Sequence, residues 1–118
     1  MKVAIPMFGN RVSPRLDCAP AFLVVTLEND QSIKREEFAA TSWAPHERTG
    51  YLIDLRVDAV ICGGIDWCSA ETLQRQGIVL YGGVTGDIEE AVAALVRGEL
   101  NSPALPPRSR RGRDDPPN

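Results

Sequence analysis

Two short apolar runs, each closed by a pair of glycines, constrain the fold more than any other feature of this sequence. The first is Asp58–Cys62, followed by Gly63-Gly64, and the second is Ile78–Tyr81, followed by Gly82-Gly83. A short apolar run bounded by turn residues is typical of a strand buried on both faces, as in a parallel sheet. Parallel neighbours need a crossover connection, which is usually a helix. The pattern therefore predicts βα units with right-handed crossovers.

The segments beside these runs have the composition of the required helices. Residues Ser69–Gln76 predict one helix, which the next glycine ends. Residues 86–98 predict another, in which Glu89 and Glu90 favour the positive end of the helix dipole. A helix over Glu47–Arg56 is indicated by its leucine and isoleucine spacing.

The N-terminal half reads as strands joined by one long loop and one tight turn. We expect a strand over Met1–Met7, a polar loop over Phe8–Pro20 and a hairpin of Ala21–Glu28 with Ser32–Phe38, closed by Asn29-Asp30-Gln31. A loop of that length in a compact domain is usually functional. The whole order, β-β-β-α-β-α-β-α, predicts an α/β fold with a mixed sheet and helices on its faces.

Charge and length bound the function. The chain has 118 residues, room for one compact domain, and a net charge of −3. Residues 103–118 hold four arginines, two aspartates and five prolines, which predicts a disordered tail of charge +2 and leaves −5 on a body of residues 1–102. An acidic body makes nucleic acid an unlikely partner, except through the arginines of 108–113. No apolar run approaches the roughly 20 residues of a membrane span, so we expect a cytoplasmic protein.

Candidate ligands fall on loops where ligands gather in α/β sheets, beyond the carboxyl ends of the parallel strands. Cys18 lies in the first such loop and Cys68 in the second, so the two thiols are expected to converge at one edge. Cys62 ends an apolar run and is expected to pack in the core. The single histidine, His46, begins another helix and fits either a metal ligand or a surface residue.

The same residues argue against other site types. Three cysteines without a Cys-x-x-Cys pair argue against a disulfide framework and against a complete structural zinc site. One histidine without a spaced acid and nucleophile gives no hydrolase pattern, and the phosphate-loop motif is absent, so we expect no enzyme. The glycine pairs fit either an anion cradle of backbone N–H groups or the needs of tight turns.

Seven short segments of the body occur in the order found in one known family. They are Ala4-Ile5-Pro6, Arg11-Val12-Ser13-Pro14, Ala19-Pro20-Ala21-Phe22, Asp58–Ile65, Gly77-Ile78, Glu89-Glu90-Ala91-Val92 and Gly98-Glu99-Leu100. The chain thereby resembles the dinitrogenase iron–molybdenum cofactor biosynthesis family. That family includes small carrier proteins similar to the C-terminal part of the cofactor-assembly radical enzyme. The resemblance implies a ribonuclease-H-like three-layer fold, with a five-stranded mixed sheet and helices on both faces.

The resemblance also implies a site that binds or carries an iron–sulfur or iron–molybdenum cluster without catalysing a reaction. The expected rim of this site consists of Arg11, Ser13, Arg15, Cys18, Gly63, Gly64 and Asp66. The expected metal ligands are Cys18, Cys68 and His46. Many family members have a histidine where this chain has Arg15. Cys18 then becomes the leading ligand, with arginines nearby for an anionic cluster.

Partners follow from this hypothesis. A carrier needs a cluster donor and a cluster acceptor, and we expect the protein itself to be a monomer or weak homodimer. The alternative is a regulatory or scaffolding module on the same fold that has lost cargo binding; Arg15 and the lack of a Cys-x-x-Cys pair favour it. A third interpretation makes the arginine-rich tail a nucleic-acid contact.

Overall fold

The computed structural model describes residues 1–100, so the tail predicted over 103–118 lies outside the described residues. Within that range the chain is a mixed α/β fold. The strands are β1 (Lys2–Phe8), β2 (Arg11–Val12), β3 (Ala21–Glu28), β4 (Gln31–Ala39), β5 (Ala59–Ile61) and β6 (Val79–Tyr81). The helices are α1 (Arg48–Asp54), α2 (Trp67–Arg75) and α3 (Ile88–Val96), with 3-10 turns at Leu16–Cys18 and Pro45–Glu47.

All six strands form one mixed sheet with β1 at its centre. The order is β4-β3-β1-β5-β6, and the two-residue β2 pairs with the end of β1. Strand β1 is antiparallel to β3 and parallel to β5, and β5 is parallel to β6. The expected count of five matches the main path, and β2 adds a short sixth strand.

Alternating side chains of the central strands build two cores, one on each face of the sheet. Helices α1 and α2 pack on one face, through Leu52 and Leu73, and α3 packs on the other through Ile88 and Val92. The strand residues on the first face are Ala4, Phe22, Val24, Val60 and Leu80. Those on the second face are Val3, Ile5, Leu23, Val25, Ala59 and Ile61. The expectation of helices on both faces is confirmed.

The central position of β1 buries more of its segment than an alternating pattern requires. Val3, Ala4 and Ile5 are all at most 1% exposed, although the small Ala4 alternates there with larger apolar residues. Helices cover both faces of β1, so alanine serves as a core residue there.

Among residues 1–100, no helix combines the length and apolar character needed to cross a bilayer.

Three predicted connections are refined by the structure. The 8–20 loop is not wholly irregular, since it contains β2 and the Leu16–Cys18 turn. The hairpin turn is shorter than expected, with Asn29 and Asp30 both at positive φ, as the twist of a two-residue connection requires. Helix α2 begins two residues earlier than predicted, so Cys68 lies in its first turn.

Candidate functional site

The segment after β2 is held against the sheet by backbone hydrogen bonds to the turn that follows β5. Ser13 N–H donates to Pro6 O at 2.8 Å, which fixes the start of the segment beside β1. Gly64 N–H then donates to Pro14 O at 2.6 Å, and Leu16 N–H donates to Gly64 O at 3.0 Å. The loop carrying the predicted ligands is therefore docked on the carboxyl end of β5.

This docking explains the first glycine pair. A Cβ atom on Gly63 would lie 2.9 Å from both Ser13 O and Pro14 O, and one on Gly64 would lie 3.0 Å from Pro14 O. Neither glycine has a positive φ. Close approach of two backbones, rather than turn conformation, requires glycine at these positions. Because Gly64 N–H is bonded to Pro14 O, it is not free to serve in an anion cradle.

Arg15, Asp17 and Cys18 form a linked polar group at the tip of the docked loop. The Arg15 guanidinium donates two hydrogen bonds to the Asp17 carboxylate, from Nε at 2.9 Å and Nη2 at 2.7 Å. The Cys18 thiol donates to the same carboxylate at 3.3 Å. The hydrogen bond from Arg15 lowers the pKa of Asp17 to about 2, and Asp17 in turn raises the pKa of Arg15. The carboxylate is therefore ionised at neutral pH and holds both neighbours in place.

Cys18 and Arg15 line a mostly apolar cavity of about 290 Å³. Phe8, Ser13 and Pro14 complete its lining. Phe8 is 64% exposed, unusual for a phenylalanine, and forms an open wall of the cavity. Ser13 is buried, and its hydroxyl donates to Arg15 O at 3.0 Å, so this hydrogen bond helps to fix the conformation of the loop. The cavity combines an exposed thiol, an exposed cation and an apolar wall. We call it the thiol cavity.

A second cavity, of about 380 Å³, is lined by Asp17 instead of Cys18 and has a different chemistry. It is lined by Asp17, Pro45, His46, Thr49, Asp66, Cys68, Ser69 and Thr72. Asp66 caps α2, accepting from Ser69 N at 3.0 Å and from Ser69 Oγ at 2.7 Å. Partial burial opposes ionisation of Asp66, but the bonds from Ser69 outweigh it and lower its pKa. Two carboxylates thus make this an acidic cavity.

The structure separates the residues predicted as metal ligands. Cys18 lines the thiol cavity, whereas His46 and Cys68 line the acidic cavity. Among residues 1–100, no group of three or more His, Cys, Asp or Glu side chains is arranged to hold a metal ion. Arg11 lies on β2, and its backbone forms an isolated antiparallel β-bridge with Asp87, the residue before α3. As a ligand set, Cys18, Cys68 and His46 stay a prediction.

Cys62 belongs to the core, as expected. It is fully buried at the end of β5, and desolvation raises the pKa of its thiol to about 12. Burial therefore keeps this thiol protonated at neutral pH, as is typical of an inert structural cysteine.

Sequence reasoning missed one residue that supports the site, Arg48 on α1. Arg48 is buried, with only 5% of its surface exposed. Its guanidinium donates only to backbone carbonyls. Arg48, Leu52 and Leu55 follow the i, i+4, i+7 spacing of a buried helical stripe, so a signal was present. An arginine on such a stripe indicates a buried charge with a structural role.

Comparison with known proteins places the chain in a family. A family model described as "Dinitrogenase iron-molybdenum cofactor" matches residues 1–98, nearly all of the part that the structure describes. The chain belongs to this family. The resemblance drawn from its short motifs is thereby confirmed.

Individual proteins resemble the chain over most of its length. An uncharacterized protein of Methanocaldococcus jannaschii is 26% identical over 105 residues, covering 85% of this chain and 89% of the relative. A crystal structure from the same organism, provisionally described as a dinitrogenase, matches with a TM-score of 0.78 and 21% identity over 90% of this chain and 97% of that one. The apo form of the orange protein from Desulfovibrio gigas matches with a TM-score of 0.74 and 19% identity over 87% and 92%. At such identities the two structures show the shared fold alone.

Proposed function

We propose that this protein binds an iron–sulfur or iron–molybdenum cluster, or a precursor of one, as cargo during metallocofactor assembly, and that it catalyses no reaction. Its family connects it with the dinitrogenase iron–molybdenum cofactor. The observation that carries the proposal is the thiol cavity, where Cys18 and Arg15 are exposed beside an apolar wall. We also propose that the fold is ribonuclease-H-like, which the mixed five-strand path supports.

Charge favours the thiol cavity over the acidic cavity as the cargo site. Thiolate is the ligand that iron–sulfur clusters use most, and a cluster with sulfide and thiolate ligands is commonly anionic. Arg15 offers such a cargo a cation at the rim, and its side chain is 63% exposed. Among residues 1–100, the acidic cavity has the carboxylates of Asp17 and Asp66 in its lining and no lysine or arginine to offset them, whereas Arg15 offsets Asp17 beside Cys18. The proposal therefore gives Cys18 the ligand role and gives His46 and Cys68 none.

A single protein thiolate suits a carrier. Cys18 is the one cysteine that lines the thiol cavity, and its exposure leaves the remaining coordination sites of a cluster open to ligands from other molecules. An open coordination sphere lets a donor deliver the cluster and an acceptor remove it. We accordingly propose donor and acceptor proteins as partners, a monomer or weak homodimer as the working form, and the cytoplasm as its location.

Anaerobic reconstitution with ferrous iron and sulfide tests the ligand assignment. We expect wild-type protein to retain iron and sulfide after desalting, with visible absorption of a bound cluster. Cys18→Ser should lose that absorption. Cys68→Ser is the matched control, since it removes another exposed thiol from the acidic cavity, and it should bind as wild type does.

Two results would contradict the proposal. If Cys18→Ser retains as much iron as wild type, the thiol cavity is not the site. If the wild type retains no cluster, whether assembled from iron and sulfide or offered as a preformed iron–molybdenum cluster, the carrier function fails.

The second candidate is a regulatory or scaffolding module that has lost cargo binding. It is favoured by Arg15, which takes a position where the resemblance leads us to expect a histidine, and by the engagement of its guanidinium with Asp17. A scaffold should purify colourless under anaerobic conditions. Its binding to a defined partner should survive replacement of Cys18, Cys62 and Cys68 by serine.

A further inference from the structure

The buried guanidinium of Arg48 joins two separate segments that border the candidate site. Nη1 donates to Leu16 O at 3.0 Å and to Ala19 O at 2.6 Å. Nη2 donates to Ala40 O at 3.0 Å and, more weakly, to Trp43 O at 3.4 Å. All four acceptors are backbone oxygens, so this side chain holds main chain rather than another side chain.

The position of these carbonyls gives the contact its significance. Leu16 and Ala19 stand immediately before and after Asp17-Cys18, so Nη1 closes the turn that presents the exposed thiol. Ala40 and Trp43 belong to the segment between β4 and the Pro45–Glu47 turn. That turn carries His46 toward the acidic cavity. One side chain thus sets the Cys18 turn against the wall of the neighbouring cavity.

We propose that Arg48 is the positioning residue of the thiol cavity, fixing the Cys18 turn in the conformation that receives a cluster. The inference rests on the proposed function for the identity of the ligand, a cluster. The hydrogen bonds from Arg48 to the backbone do not depend on that function. Arg48 does not line the thiol cavity and is given no contact with the cargo.

Only arginine supplies the required geometry. Its planar guanidinium carries five N–H donors in a rigid fork, of which four serve the four carbonyls here. Lysine has three donors on one nitrogen and cannot span two segments in this way. The guanidinium also lies 5.8 Å from the centre of the Phe22 ring, which stabilises the buried cation. Among residues 1–100, no carboxylate is paired with it.

Hydrogen exchange measured by mass spectrometry tests the positioning role without any cluster. The amides of Leu16, Ala40 and Trp43 are all hydrogen-bonded in the intact structure and should be protected. In Arg48→Lys we expect peptides covering 16–19 and 40–43 to exchange about tenfold faster or more. Each lost hydrogen bond to the charged guanidinium should raise the equilibrium constant for local opening by about tenfold or more. Peptides from β3 should exchange as in the wild type.

Cluster retention, assayed with ferrous iron and sulfide, tests what the positioning does. Arg48→Lys keeps the charge but not the fork, and we expect it to retain cluster about tenfold less well, with altered absorption bands. Leu52→Ala is the matched control, because it weakens the same helix from within the same core without touching the fork. It should bind cluster normally at temperatures where both variants are folded.

The possible outcomes separate this inference from the proposed function. If the wild type binds no cluster, the proposed function fails, and exchange in the two segments alone decides the role of Arg48. If Arg48→Lys exchanges and binds like the wild type, or if Leu52→Ala loses cluster equally, Arg48 is not a positioning residue. Arg48→Gln provides a second variant. If neither variant folds, Arg48 holds the domain as a whole and the inference is overturned.

Discussion

Replacing Gly63 by alanine tests whether the glycine pair after β5 exists to let the ligand-bearing loop dock. The added Cβ would stand 2.9 Å from Ser13 O and from Pro14 O, and 3.2 Å from the Pro14 carbonyl carbon. These neighbours are backbone atoms, so no side-chain rotation relieves the contact. The Ser13-Pro14 segment must therefore move away by several tenths of an ångström.

The cost of that movement follows from what holds the segment. Overpacking of this kind costs about 1–3 kcal/mol. The shift also strains the bonds from Ser13 N to Pro6 O and from Gly64 N to Pro14 O, each worth about 1 kcal/mol. Alanine also raises the free energy of unfolding by about 0.4–1 kcal/mol, because it restricts the unfolded chain. We expect a net loss of about 2 kcal/mol in the free energy of unfolding.

Gly82→Ala is the matched control. Gly82 lies in the turn after β6, as Gly63 lies in the turn after β5, its φ is not positive, and the nearest atom to a Cβ there would be Gly63 O at 4.0 Å. This substitution should be neutral, or stabilising by less than about 1 kcal/mol.

Urea titration and thermal unfolding followed by far-ultraviolet circular dichroism measure both variants. For a domain of this size, about 2 kcal/mol corresponds to a fall in Tm of roughly 8–16 °C for Gly63→Ala. A difference between the two variants below about 0.5 kcal/mol would refute the close-approach argument.

Two further predictions concern side chains around the loop. The native protein should react with Ellman's reagent at Cys18 and Cys68 only, because Cys62 is buried and its burial raises the pKa of its thiol to about 12. Cys62 should react only after denaturation, so three fast equivalents in the native protein would contradict this. Asp17→Asn should lower the free energy of unfolding at pH 7 by less than about 1 kcal/mol, since its partner Arg15 is exposed. Bonding to Arg15 lowers the Asp17 pKa from 3.8 to about 2, so this stabilisation is present above pH 4 and is lost as pH falls through 2. Urea titrations of wild type and Asp17→Asn from pH 7 to 2 should therefore converge, and a constant gap would contradict the assignment.

Local sequence signals predicted the elements well where they depend on local chemistry. The apolar runs before the two glycine pairs became β5 and β6, and the Asn29-Asp30 turn closed the predicted hairpin. Boundaries shifted where tertiary contacts compete with propensity. The two-residue β2 exists because the chain folds back on the end of β1, and no periodicity can show a strand so short.

The candidate site was less predictable. Cys18 lies on the loop after β1, as predicted, whereas Cys68 lies in the first turn of α2 rather than in the preceding loop, and the two line different cavities. Asp17 lines one cavity and Cys18 the other, and the turn that carries them is bonded to Arg48, far away in sequence. The helical spacing of Arg48 indicates its burial, but not which carbonyls it contacts, because those belong to segments distant in sequence.

The sequence by itself determined the βα pattern, the family and the identity of each candidate ligand, because these depend on short-range spacing and side-chain chemistry. Only the tertiary structure decided which ligands share a cavity and why Gly63 must be glycine. Those properties arise from contacts between segments some 50 residues apart, such as Pro14 with Gly64, which become neighbours only when β1 and β5 pair.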